Sequence, residues 1–108
     1  MHEYRAYVRK VYDGDTITVD IDLGFGVMLH GQKIRLLRIN APEVRGKDRE
    51  LGLKSRNALR EKIASKWIKI KTQKDKKGKY GRWLGEIWLG DTCINDWLLT
   101  EGLAQGLT

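Results

Sequence analysis

Apolar residues alternate with polar ones through "TITVDIDL", where Ile17, Val19, Ile21 and Leu23 take every second position. A period of two describes a strand with one face buried. "AYVRKVY" upstream reads as another strand, and "DGD" between the two as a turn or kink. Gly24, Gly26 and Gly31 interrupt the next stretch and predict a bulged, sharply bent hairpin. The third strand is "KIRLLRI". The period then changes. In "RELGLKSRNALREKIASK", Leu51, Ser55, Ala58, Leu59 and Ile63 fall on one helical face, with Lys and Arg on the other. Alternation returns in "WIKIKT" and "RWLGEIWL", and a "GD" turn leads into the short helix "INDWLLTEG", with Gly102 placed to cap it.

The predicted order is β-β-β-α-β-β-α, a mainly β chain with helices. Five short strands with a helix between the third and fourth is the order expected of an OB-fold five-stranded barrel. No repeat, linker or low-complexity tract divides the chain, so residues 1–108 read as one domain with a modest core. No apolar run is long enough to span a bilayer, and no membrane association is expected. "MHEYRAYVRKVYDG" lacks the apolar segment of a secretory signal. The expected setting is therefore cytoplasmic, or a phage or mobile element, with secretion requiring a leader outside this sequence. Cys93 is the single cysteine, so no intramolecular disulfide forms, and it reads as a buried free thiol.

Charge changes the picture by its distribution. The net charge is +7. Residues 43–82 hold 15 Lys and Arg against 5 Asp and Glu, a net +10, while residues 83–108 hold 4 acids and no Lys or Arg. A basic half of this kind suits a polyanion, and DNA or RNA is the expected partner.

Three clusters could carry chemistry: Asp13-Gly14-Asp15-Thr16, Arg35 with Asn40 and Glu43, and Lys79-Tyr80-Gly81-Arg82. Taken singly they read as an Asp-Gly turn, a polar loop and a basic hairpin tip. Arg35 is the exception, because an arginine among apolar strand neighbours is costly without an anionic partner. Asp15, Asn40 and Glu43 offer oxygen donors only, which suits a hard cation such as Ca²⁺ or Mg²⁺ and argues against zinc. Arg35 and Arg82 offer two planar forks suited to a phosphate. An oxygen-ligated cation, a carboxylate and two arginines are the parts that phosphodiester cleavage needs. No histidine-centred motif accompanies His2 or His30, and "GFG" is not followed by the Gly-Lys-Ser/Thr of a phosphate loop.

"DGDTITV", "IRLLRINAPEV", "SRNALREKI", "GKYGRWLGEI" and "INDWLLTEGLA" together resemble the staphylococcal nuclease (thermonuclease) family, in family order and over about Tyr7 to Ala104. The resemblance implies an OB-fold and Ca²⁺-dependent, low-specificity hydrolysis of DNA and RNA that leaves 3′-phosphates. Single-stranded or frayed substrate is favoured and no protein partner is required. It implies that Asp15 and Asn40 ligate the metal through their side chains, with the Ala41 carbonyl beside them. Glu43 would position or deprotonate the attacking water, and Arg35 and Arg82 would clamp the scissile phosphate. Asp13 and Thr16 would support the metal ligands. Lys79 and Tyr80 would hold a neighbouring phosphate, and Lys47 and Arg49 would contact nucleic acid from a loop.

Two features depart from that pattern. The family motif carries aspartate at the position of Asn40; an amide oxygen still binds Ca²⁺, with one negative charge fewer. The family usually continues after "GLA" with pocket tyrosines and a third helix, and neither is expected here. Thr16 to Arg35 is also longer than in the founding member, which predicts an extended hairpin. Trp67, Trp88 and Trp97 read as core, and Trp83, next to Arg82, as a platform flanking the site. Two other readings compete with the nuclease. One is a catalytically weak or inactive module that binds single strands. The other is a protein-interaction domain whose basic half meets an acidic partner.

Overall fold

The computed structural model describes residues 2–74 and 82–107. Strands β1 (His2–Asp13), β2 (Thr16–Gly24) and β3 (Val27–Leu36) form an antiparallel meander. β4 (Ile39–Asn40) follows a two-residue turn, and a one-turn 3-10 helix (Gly46–Asp48) leads into α1 (Arg49–Ile63). β5 (Trp67–Lys74) and β6 (Trp83–Leu89) complete the barrel. β7 (Thr92–Cys93), α2 (Ile94–Thr100) and β8 (Gln105–Gly106) end the described chain. The sheet runs β3-β2-β1-β5-β6-β7 and closes through a parallel pairing of β3 with β6. The result is a closed five-stranded barrel with two helices, consistent with an OB-like fold. Among the described residues, no helix is long and apolar enough to cross a membrane.

The alternation seen in the sequence fills the barrel. Val8, Val11, Ile17, Val19, Ile34, Leu36, Ile70 and Ile87 are fully buried, as are Leu59 and Ile63 of α1 and Ile94 and Leu98 of α2. Gly85 lets the barrel wall close, since a Cβ there would sit 2.6 Å from Ile34 Cγ2 and 3.0 Å from Ile70 Cδ1. Asn95 of α2 is buried and staples the seam. Its Nδ2 donates to the Leu37 and Gly85 carbonyls, and its Oδ1 accepts from the Ile87 amide. Gly102 at φ 69° ends α2, with its amide bonded to the Leu99 carbonyl and that of Leu103 to the Leu98 carbonyl. This is the αL cap the sequence predicts.

Several expectations need correction. The third strand does not continue through residue 39. Arg38 adopts φ 67° and breaks it, and β4 pairs instead with β8. Leu51 is not on the buried face of α1 but 59% exposed, and Gly52 takes the buried place. Trp67 is 44% exposed and stacks under the Arg5 guanidinium beside Tyr7, so it belongs to the outer surface. Trp88 is half-buried, donating to Glu86 beneath the Lys71 ammonium, and Trp97 packs against the core. Cys93 is buried and free.

The extended hairpin is present. β2 and β3 carry register shifts at Val19/Ile21 and Asp22/Gly24, and the turn exposes Phe25 completely. At its base the buried Asp20 carboxylate accepts from Arg9 Nε, from the Gly31 amide at 3.0 Å and from His30 at 3.2 Å. The Arg9 contact, then the Gly31 amide, hold the Asp20 carboxyl down at about 2. A depressed folded-state value means that Asp20 stabilises the fold above the ordinary carboxylate range. That contribution is lost as pH falls from about 4 towards 2. Asp20→Asn is therefore expected to flatten the acid limb of a thermal-melting curve measured across that window. An unchanged limb would mean that Asp20 does not drive it.

Candidate active site

Asp15 follows the Asp13-Gly14 turn at the β1–β2 junction, and Gly14 is required there by packing. A Cβ at position 14 would lie 2.7 Å from the Ala41 Cβ and 2.9 Å from the Ser55 Cβ. The close approach brings the turn, the segment after β4 and helix α1 to one point. The buried Asp15 carboxylate accepts from the Ala41 amide at 2.8 Å and from Thr16 Oγ1 at 3.0 Å. Asp13 Oδ1 accepts from the Asp15 amide at 3.0 Å. Burial first, and then the neighbouring Asp15, push the Asp13 carboxyl up to about 6.

Arg35 has the anionic partner that its place in the strand demands. Its Nη2 lies 3.3 Å from Asp15 Oδ2 and donates to Asn40 Oδ1 at 3.2 Å. Its Nη1 donates to the Leu36 carbonyl at 3.0 Å and the Ile39 carbonyl at 2.9 Å. The guanidinium thus spans the break between β3 and β4. β8 pairs with β4, setting Asn40 opposite Gln105.

Glu43 follows Pro42 on the approach to α1, and its side chain is exposed. Gly52 lets the helix abut that backbone, because a Cβ at position 52 would lie 2.0 Å from the Glu43 carbonyl oxygen and 2.8 Å from the Val44 nitrogen. Gly52→Ala would ordinarily favour a helix by about 1 kcal/mol. Here the helix or the Glu43 segment must shift instead, so the substitution is expected to lower the melting temperature and to reduce turnover at least about tenfold. A variant with wild-type turnover would show that Glu43 does not depend on this contact.

Asp15, Arg35, Asn40, Ala41, Glu43 and Arg82 all line one cavity of about 600 Å³, together with Asp13 and Thr16. Eight positions expected from the sequence to act together therefore meet. Lys79 and Tyr80 lie outside the described residues. Lys47, on the 3-10 turn, and Arg49, the first residue of α1, are exposed and do not line the cavity. Trp83 does not line it either; it is half-buried against the core. Lys10, Tyr12, Thr18 and Lys33 do line it, and their sequence positions gave no sign of this. Only the strand register brings them to the site.

Among the described residues, no three Asp, Glu, His or Cys side chains cluster tightly enough to hold a metal. The oxygen atoms at hand are a buried carboxylate, an amide oxygen that shares Arg35 with it, and a nearby exposed carboxylate. That donor chemistry fits a hard cation.

A sequence model of the family described as "Staphylococcal nuclease homologue" matches residues 33–108. A thermonuclease from Staphylococcus intermedius is 31% identical over 101 residues, which is 91% of this chain and 56% of that protein. A thermonuclease from Staphylococcus hyicus is 31% identical over 107 residues, 96% of this chain and 60% of that protein. The chain thus spans somewhat over half the length of these relatives. The matched region runs from the second half of β3 to β8 and so carries Arg35, Asn40, Glu43 and Arg82 on the framework just described. The chain belongs to the staphylococcal nuclease homologue family.

Proposed function

We propose that the protein is a calcium-dependent nuclease that hydrolyses DNA and RNA phosphodiesters with low sequence specificity. The observation that carries this is the convergence of Asp15, Asn40, Glu43, Arg35 and Arg82 on one open cavity. Asp15, Asn40 and the Ala41 carbonyl would hold the cation, with Glu43 reaching it through water. Ca²⁺ is favoured over Mg²⁺ because the donors sit on separate segments and include an amide, a set that tolerates irregular coordination. When bound, the cation would supply Lewis-acid polarisation of the phosphate and of water.

The chain's own residues do the rest. Glu43 takes the proton from the attacking water. Arg35 and Arg82 hold the non-bridging oxygens and stabilise the charge that grows in the transition state. Asp13 and Thr16 fix the Asp15 carboxylate through its amide and its Oδ1. A substrate held through its phosphates in this way would be cut with low sequence specificity, because phosphate contacts carry no base information.

A second reading has its own support. Asn40 contributes no charge, and Asp15 is already engaged by Ala41, Thr16 and Arg35. On that reading the domain binds single strands without cutting them, and binding survives chelation. Replacing Asn40 separates the two. Asn40→Asp is expected to tighten Ca²⁺ binding by about tenfold in a calorimetric titration without DNA. An unchanged isotherm would remove residue 40 from the ligand set. Product analysis tests the reaction itself: cleaved single-stranded DNA is expected to carry 3′-phosphate and 5′-hydroxyl ends.

A further inference from the structure

We infer that Lys10, Thr18 and Lys33, with Tyr12 at their side, form a binding subsite for the nucleotide next to the scissile phosphate, making the cavity a site for single-stranded polynucleotide rather than for one phosphate. This rests on the nuclease reading of the same cavity and extends it.

The register carries the argument. Lys10 of β1 stands opposite Thr18 of β2, and Thr18 stands opposite Lys33 of β3. Residues directly opposite project from the same face of a sheet. The three form one row across the barrel wall, and all line the catalytic cavity. The next row on that face joins Asp13, Thr16 and Arg35. Two residues of strand separate the rows, about 6.5 Å, which is of the order of one step between successive phosphates. The two lysines flank Thr18 with backbones about 10 Å apart, so their flexible stems can bring both ammonium groups to a single phosphate.

Their charge is available. Three other cations on this sheet have acids, Arg5 with Asp22, Arg9 with Asp20 and Lys69 with Glu3, and Lys71 lies over the Trp88 ring. The Lys10 and Lys33 side chains are exposed and make no ion pair or hydrogen bond among the described residues. Two like charges in one row repel each other and gain nothing for the fold, whereas a bound phosphate would satisfy both. Tyr12 adds the apolar half of a nucleotide site. It is the residue bulged out of β1 between Val11 and Asp13, its ring is partly exposed, and its hydroxyl accepts from Arg45 Nη2 at 2.9 Å. A ring held in place beside a cationic row is the arrangement on which single-stranded bases stack.

The test measures anisotropy of a labelled single-stranded octanucleotide in chelator, across a salt series, with intact folding checked by melting curves. Lys10→Gln/Lys33→Gln is compared with Lys62→Gln/Lys66→Gln, which removes the same charge from the last turn of α1 and the segment after it. The subsite variant is expected to bind about tenfold more weakly and to lose about 0.7 from the log–log salt slope, the value for one single-strand phosphate contact. The control variant is expected to change affinity by less than about twofold. Tyr12→Ala is expected to weaken binding at least fivefold, in order-of-magnitude terms, while Tyr12→Phe keeps it. Equal losses in the two double variants would overturn the inference, because solvated lysines acting through the overall field do not depend on position. Absence of salt-sensitive binding by the wild type would overturn it too. Cleavage in Ca²⁺ is scored separately. Wild-type cleavage with no difference between the double variants overturns the subsite alone. A position-dependent binding loss without cleavage supports the subsite and overturns the nuclease reading.

Discussion

Glu43→Gln is expected to lower turnover on single-stranded DNA by about 10²- to 10⁴-fold while leaving affinity for DNA within about twofold of wild type. The substitution keeps the shape of the side chain and removes its basicity. The Glu43 side chain is exposed and makes no ion pair or hydrogen bond among the described residues, so the change breaks no side-chain contact that holds the barrel there. Its place is fixed from the backbone, by Pro42 before it and by the contact of its carbonyl with Gly52. A side chain held by its backbone and free at its tip is suited to work on water at the mouth of a cavity. Single-turnover cleavage alongside equilibrium binding in chelator makes the measurement. Equal losses in both would remove Glu43 from the role of base and make it a binding residue.

Arg35→Ala is expected to cost both activity and stability, which distinguishes it from Glu43→Gln. The Arg35 side chain is 16% exposed and that of Asp15 8%. Removing the guanidinium leaves a buried carboxylate without its cation and frees the Leu36 and Ile39 carbonyls. Breaking one side of a buried ion pair costs about 3 kcal/mol or more, which corresponds to a fall in melting temperature of more than about 10 °C for a domain of this size. Loss of a charged donor to the transition state is expected to lower turnover by about 10³-fold. Arg35→Lys restores the charge without the fork, so it should recover part of the stability and little of the activity. Ca²⁺ offers a further readout. A cation seated on Asp15 and Asn40 replaces the charge that Arg35 supplied, so Ca²⁺ should raise the melting temperature of Arg35→Ala more than that of the wild type. Equal shifts would show that the cation does not use those oxygens.

Arg35 also shows what the sequence made legible. A guanidinium in an apolar strand required an anion, and Asp15 supplies it. The residue types also grouped Asp15, Asn40 and Glu43 with two arginines, and all five line one cavity. The helix expected over residues 49–66 followed from its period, though it ends at Ile63, and the barrel followed from the order of strands and helix. The errors have physical causes. Periodicity weighs hydrophobicity, and so predicts Leu51 in the core, where it is not. Gly52 faces inward because the chain carrying Glu43 comes too close for any side chain. The size and apolar character of Trp67 predict an inward place, yet its strand position points outward, where Arg5 covers it. The two carbonyls held by Arg35 could not be foreseen, since they depend on the left-handed backbone at Arg38. Asn95 bonds to groups 8, 10 and 58 residues away, and no local pattern encodes that. Lys10, Thr18 and Lys33 form a row only through the register of three strands, which depends on bulges the sequence does not number.

The protein's catalytic character turns on whether the cavity built from Asp15, Asn40 and Glu43 cuts nucleic acid when a hard cation is present. The most direct measurement is cleavage of single-stranded DNA by the purified chain in millimolar Ca²⁺, in Mg²⁺ and in chelator, with Glu43→Gln as control. Cleavage that requires Ca²⁺, stops in chelator and fails in Glu43→Gln is the expected result. No cleavage in either metal, with salt-sensitive DNA binding intact, would contradict it and mark the domain as a binding module.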